Sequence, residues 1–328
     1  MIDLSEREIT RQWNTEKYKK PEVTIWCTTY NHEKFIAQCL DSFLMQKTNF
    51  PFEIIVHDDA SLDHTSEIIR EYETKYPSII KPIIEEENLY SRDLLLFRLI
   101  MVKHINTKYV ATCEGDDYWS DECKLQKQYD FMECNQEYSA IGHLTRTIDS
   151  SNQDVVGSFI DSVPGEYGVK ENQNWQLFAH YSSYFYRNIF LKMTDREKNN
   201  FFSLSVPGDR SYPILFMKYG KLYVLPEEMS VYRYMSCPTS FTCQKENHSI
   251  YKCYMESVNL DKYAMSIGID VDYSQHQKKL LCNAFGLLVK SGNRDFIRII
   301  HIRNNYIRDF GICFVFVLKR VWNKILHH

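Results

Sequence analysis

The sequence predicts an α/β fold, a mostly parallel sheet flanked by helices, with a helical C-terminal extension. Three observations carry this. Residues 20–135 alternate short apolar runs with amphipathic stretches joined by short links, the pattern of parallel strands and crossover helices. Two of the runs end in acidic clusters, His57-Asp58-Asp59-Ala60-Ser61-Leu62-Asp63 and Glu114-Gly115-Asp116-Asp117-Tyr118-Trp119. From about residue 245 the apolar spacing is helical.

Residues 1–20 are a polar lead-in with room for a short helix. Val23 to Thr28 is a buried strand, and Thr29-Tyr30-Asn31-His32 is a polar turn. Glu33 to Gln46 is a helix, with Phe35, Ile36, Cys39, Leu40, Phe43 and Leu44 on one face. Phe52 to Val56 is the second strand. Asp63 to Tyr76 is a helix ended by Pro77. Ile79 to Ile84 is a third strand, Arg92 to Ile105 a Leu-rich helix, Tyr109 to Thr112 a fourth strand and Asp121 to Cys134 a further helix. Next come a strand at Ser139 to Thr147, a loop at Asn152 to Asn174 and a strand at Tyr181 to Tyr186. Ser211 to Tyr219 is a helix after Gly208-Asp209-Arg210. Leu222 to Leu225 and Ser230 to Tyr234 read as two strands. Ser249 to Tyr263, Ser274 to Ser291 and Arg294 to Tyr306 are helices.

At 328 residues and 44% hydrophobic, the chain is long enough to bury a sizeable core. A net charge of -4 and a pI near 6.3 give no argument for nucleic-acid binding. The ten cysteines form no CxxC pair or zinc spacing, which predicts reduced, mostly buried thiols in a cytoplasmic protein. The polar N-terminus has no signal-peptide pattern. No run reaches the ~18–20 apolar residues of a spanning helix. Phe310 to Leu318 comes nearest. The basic, aromatic end that follows it (Lys319, Arg320, Trp322, Lys324) is either a docked helix or a peripheral contact with the inner face of a membrane.

Crowded carboxylates at strand ends repel unless something cationic sits among them. No GxGxxG follows the first strand and no GxxxxGK[ST] occurs. A divalent metal carrying a nucleotide diphosphate satisfies both facts, and Mg²⁺ or Mn²⁺ is the ion that prefers carboxylate oxygens.

Four segments in order resemble family 2 glycosyltransferases. These are Val23 to Ile36 with its Thr-Thr-Tyr-Asn, Ser42-Phe43-Leu44-Met45-Gln46, Asp58-Asp59-Ala60-Ser61-Leu62-Asp63-His64-Thr65, and Glu114-Gly115-Asp116-Asp117 with Lys124-Leu125-Gln126. The resemblance implies a GT-A nucleotide-diphospho-sugar transferase fold. It also implies inverting, metal-dependent transfer from a UDP-sugar to a hydroxyl acceptor, a glycan or lipid-linked glycan in surface polysaccharide synthesis. Carried over residue by residue, Asp116 and Asp117 hold the metal and diphosphate, and Glu114 takes the place of the first Asp of the DxD motif. Asp59 bonds the base, while Thr28 and Tyr30 line the nucleotide. Asp209 is the general base, against the simpler reading of a helix N-cap, with Glu227 and Glu228 as rivals. Arg233, in Val231-Tyr232-Arg233-Tyr234, contacts the diphosphate, although Met235 stands where the family commonly has His. Asp63 reads as a helix cap rather than a ligand.

Residues 1–240 then form the catalytic domain, with 20–135 the nucleotide half and 136–240 the acceptor half, and 241–328 form the helical region. Two other readings compete. A degenerate, binding-only relative is opposed by retention of Asp59, Asp116, Asp117 and Asp209. A sugar nucleotidyltransferase is opposed by the absence of a Gly-rich basic loop after the first strand.

Overall fold

The computed structural model describes residues 3–155, 162–234 and 249–303. Ser5 and Glu8 form a reciprocal capping box at a short helix, α1 (Glu6–Thr10). The alternating segment then gives β1 (Val23–Thr29), α2 (Ile36–Leu44), β2 (Phe52–Asp58), α3 (Thr65–Lys75), β3 (Ile80–Ile84), α4 (Leu89–Arg92), α5 (Leu94–His104) and β4 (Tyr109–Glu114). Asp93 accepts the Leu96 N–H at 2.9 Å and starts a new helix there, so the expected single helix from Arg92 is divided. The strands β3-β2-β1-β4 run parallel. β1 and β2 are almost wholly buried, which is why they read as unbroken apolar runs rather than alternating ones.

The second half adds β5 (Tyr118–Trp119), α6 (Lys124–Cys134), β6 (Tyr138–Ile148), β7 (Gly165–Tyr167), α7 (Val169–Gln173), β8 (Phe185–Arg187), α8 (Asp195–Phe202), α9 (Gly208–Met217) and β9 (Lys221–Arg233). β8 joins β4 antiparallel and continues the sheet as β8-β6-β9-β5, with β7 also on β9. The sheet is therefore parallel at the nucleotide half and mixed beyond it.

Three local expectations change. The expected loop at 152–174 contains β7 and α7, because β7 pairs with Leu222, Tyr223 and Val224 of β9, a partner its own sequence does not reveal. Tyr181–Ser183 is a 3-10 turn, and the strand begins only at Phe185. The two expected strands at 222–234 are one. Leu225 opposes His143 and Glu228 opposes Leu144, so Pro226 and Glu227 bulge out of the ladder. A bulge accommodates the proline, which has no N–H to give.

Beyond these lie α10 (Ile250–Ser266), α11 (Ser274–Ser291) and α12 (Asp295–Arg303). Leu260, Tyr263, Ala264 and Tyr273 join the core packed on one face of the sheet. Tyr254, Leu281, Phe285, Phe296 and Ile299 make a smaller core of their own. Among the described residues no helix is long and apolar enough to cross a membrane. The segment Phe310 to Leu318, the basic end after it and Met235 lie outside the described residues.

Candidate active site

Thr28 is in register with His57 of β2 on one side and Glu114 of β4 on the other. The polar turn after β1 and both acidic clusters therefore leave the sheet at one edge, the C-terminal ends of parallel strands, where open α/β sheets bind ligands. The Gly115 N–H donates to the Thr28 carbonyl at 2.8 Å. A Cβ at Gly115 would lie 2.7 Å from both Cβ and Oγ1 of Thr29, so only glycine lets the two turns approach this closely.

The loops after β1 and β2 are laced together. The Asn31 N–H donates to Ser61 Oγ at 2.9 Å, and the Leu62 N–H returns to Asn31 Oδ1 at 2.7 Å. The His32 N–H donates to Thr65 Oγ1 at 2.8 Å, and the Glu33 N–H to Asp63 Oδ2 at 3.1 Å. Asp63 Oδ1 also accepts the Thr65 N–H at 3.0 Å at the start of α3. Asp63 thus anchors backbone. Asp58 is buried, accepts from the Ser61 hydroxyl and is pushed up by burial. Asn31 and Ala60 adopt left-handed backbone, with φ of 57° and 62°.

Asp59 is buried, with Oδ1 accepting the Leu89 N–H at 2.7 Å and Oδ2 the Tyr90 N–H at 3.0 Å. Each oxygen keeps a further lone pair. Thr28 and Tyr30 are partly exposed at the end of β1. The Tyr30 side chain contacts no described residue through a hydrogen bond or ring.

Glu114, Asp116 and Asp117 bring one carboxylate oxygen each within 4.8 Å of one another. Burial pushes Glu114 up to about 8, and the charges of Asp116, Asp117 and Asp209 add to this. Burial, with Asp116 beside it, also raises Asp117. Asp117 is held from two sides: Ser182 Oγ donates to Oδ2 at 2.5 Å and the Arg233 N–H to Oδ1 at 3.0 Å. His180 Nδ1 lies 3.7 Å from Asp117, and His32 Nε2 lies 3.8 Å from Asp116. Three hard oxygen donors at this spacing fit Mg²⁺ or Mn²⁺.

Helix α9 begins at Gly208, with Pro207 in the cap position, so Asp209 lies inside the first turn and does not cap it. Burial raises its carboxyl, opposed by Arg210. Its carbonyl accepts from the Tyr184 hydroxyl at 3.2 Å. The charge of Asp209 reaches Glu114 from the first turn of α9. The rivals Glu227 and Glu228 are exposed along β9. Arg233 is buried: its guanidinium donates to the Asp116 carbonyl and, at 2.5 Å, to Gln38 Oε1, between the rings of Phe35 and Tyr118.

The glycosyl transferase family 2 profile matches residues 24–198. The chain belongs to glycosyl transferase family 2. Its GT-A fold is shared with S. aureus TarS in complex with UDP-GlcNAc (TM-score 0.56, 17% identity, 89% of this chain and 80% of that one). The Pyrobaculum calidifontis mannosyltransferase PcManGT, in complex with GDP-Man and Mn2+, aligns at a TM-score of 0.53 and 15% identity over 97% of this chain and 94% of that one. The poly(ribitol-phosphate) beta-glucosyltransferase of Bacillus spizizenii is 30% identical over 124 residues, 38% of this chain and 19% of that protein. Other curated relatives are matched over 36% and 42% of their own lengths.

Several residues of this candidate site gave no signal in the sequence. Ser182 and His180 reach Asp117 from the turn before β8, Ser182 within the expected strand Tyr181 to Tyr186 and His180 just ahead of it. Gln38 meets Arg233 from α2. Arg98 of α5 donates to the carbonyls of Phe202 at 3.1 Å, Leu204 at 2.5 Å and Val206 at 3.1 Å, and so fixes the segment that leads into α9. Carbonyl acceptors carry no side-chain signature, so this clamp is invisible before folding.

Proposed function

We infer that the protein transfers a sugar from a nucleotide-diphospho-sugar, a UDP-sugar, to a hydroxyl acceptor with inversion. The acceptor is a glycan or lipid-linked glycan of surface polysaccharide synthesis. The observation that carries this reading is the Glu114, Asp116 and Asp117 cluster, which the charge of Asp209 reaches from the first turn of α9. Glu114 and Asp116 would hold Mn²⁺ or Mg²⁺ together with Asp117, whose geometry Ser182 and Arg233 fix. Such an ion neutralises charge that grows on the leaving diphosphate.

The remaining roles belong to the chain itself. Thr28 and Tyr30 line the nucleotide at the end of β1, and Asp59 bonds the base through its remaining lone pairs. Asp209 accepts the proton of the attacking hydroxyl, and its raised proton affinity suits a general base. Arg233 acts on the diphosphate side through its hold on the Asp116 carbonyl, and direct contact would require it to leave Gln38. The UDP-sugar and GDP-sugar complexes of TarS and PcManGT support the donor class, and the Bacillus spizizenii relative supports a surface-polymer acceptor.

The test is a panel of UDP- and GDP-sugars with and without Mn²⁺, read by thermal shift and slow donor hydrolysis. Metal-dependent stabilisation by UDP, sharpened by one sugar, is the expected result. A response to GDP-sugars alone overturns the UDP assignment, and no response to either overturns the transferase reading.

A further inference from the structure

Lys124 and Gln128, one turn apart at the start of α6, are wholly buried. A cation in such a place is costly and asks for an explanation. Its contacts are not with a carboxylate. The ammonium donates to Gln128 Oε1 at 2.7 Å and sits 3.7 Å over the ring of Trp119. Asp121, the acidic group whose charge reaches it, is committed to Lys127 at 2.6 Å.

The two groups that Lys124 touches share one task. An ammonium has only N–H to offer, so the amide oxygen of Gln128 faces it and the amide nitrogen is turned away. That nitrogen donates to the Ser183 carbonyl at 2.9 Å. The Trp119 indole N–H donates to the Ser182 carbonyl, also at 2.9 Å. Two successive carbonyls of the 3-10 turn Tyr181–Ser183 are therefore gripped from α6 and β5. The same turn carries the Ser182 hydroxyl onto Asp117 Oδ2 at 2.5 Å. Ser182, Ser183 and Asp117 are themselves wholly buried, so these contacts are not shared with bulk solvent.

We propose that Lys124 and Gln128 are positioning residues for the cation site: through the Ser182–Ser183 turn they hold Asp117 in place to ligate the metal. The contacts run from Lys124 to Gln128, to Ser183, to Ser182 and to Asp117, and only the last belongs to the acidic turn. Groups that hold a metal ligand from behind carry about 10- to 100-fold of the metal's affinity. The proposal rests on the Glu114, Asp116 and Asp117 cluster binding a divalent cation.

The test is the Mn²⁺ affinity of the full chain at fixed UDP, well below the unfolding temperature. Loss of the paramagnetic resonance signal of the free ion, against a protein-free blank, reads it. Gln128→Leu and Lys124→Met each weaken Mn²⁺ about tenfold or more. Lys124→Met keeps the volume of the stem and removes a buried charge, so the fold tolerates it. A role confined to stability moves Tm and leaves this affinity alone, so parent affinity in either variant overturns the proposal. Ser182→Ala also weakens Mn²⁺, and adding Gln128→Leu to it costs no more, because both act through one hydroxyl. Additive losses place Gln128 on another path and overturn the proposal. A parent protein that binds no Mn²⁺ removes the cation site itself, whereas a parent that binds it beside unchanged variants removes only the positioning role.

Discussion

The Arg233 backbone N–H donates to Asp117 Oδ1 at 3.0 Å across 116 residues of chain. The last strand of the sheet thereby fixes the acidic turn that leaves its fourth. Ser182 holds the other oxygen, so Asp117 is both a member of the acidic cluster and a structural strut.

Its two roles separate by substitution. Asp117→Ala leaves the Ser182 hydroxyl and the Arg233 N–H without their acceptor and costs about 1–3 kcal/mol. Asp117→Asn keeps an acceptor and removes a crowded charge, so it stays within about 1 kcal/mol of the parent. Urea unfolding of the two variants decides this, and equal losses would remove the strut.

Asp116→Asn leaves the fold in place and abolishes the Mn²⁺-dependent thermal shift with UDP. Chelation of the parent protein by EDTA reproduces that loss. A persisting shift in Asp116→Asn would move the metal away from this residue.

Ala60 holds left-handed backbone, with a φ of 62°. Left-handed backbone costs an L-residue about 1–2 kcal/mol, more than the entropy a glycine adds to the unfolded chain. Ala60→Gly is therefore stabilising, by about 0.5–1 kcal/mol. A lower midpoint of thermal unfolding would refute this.

Lys124 is fully buried, its ammonium 3.7 Å from the Trp119 ring centre and 2.7 Å from Gln128 Oε1. Burial lowers it to about 7 from its ordinary 10.5. Below about 7 it is charged in both states. Between 7 and 10.5 the unfolded chain binds the extra proton, so stability from this group rises with pH across that window. Lys124→Met flattens the rise, and subtracting the two stability profiles isolates it. Parallel profiles from pH 7 to 10.5 would contradict the assignment.

Arg98→Lys replaces a fork that serves three carbonyls with a single point donor. It loses about 1–3 kcal/mol, and transfer falls more than UDP binding, because the segment entering α9 is loosened. Calorimetric titration with UDP beside transfer rates provides the check. Equal losses in both would place the effect in global stability.

Local pattern carries far in this chain. The strands β1, β2 and β4 were legible because each buries both faces and so reads as a near-continuous run between turns. The acidic turns were legible because clustered carboxylates at strand ends are rare and costly. Glu114, Asp116 and Asp117 meet because their spacing within one turn leaves no alternative.

Tertiary structure decided what depends on distant partners. β7 and the unbroken β9 exist through pairing between segments about 55 to 85 residues apart, which no local window contains. The place of Asp209 inside the first turn of α9 and the hold of Ser182 and Arg233 on Asp117 follow from packing and hydrogen bonds between distant segments. A sequence specifies such contacts only through the whole fold, because backbone donors and acceptors are identical at every residue, and position alone makes them specific.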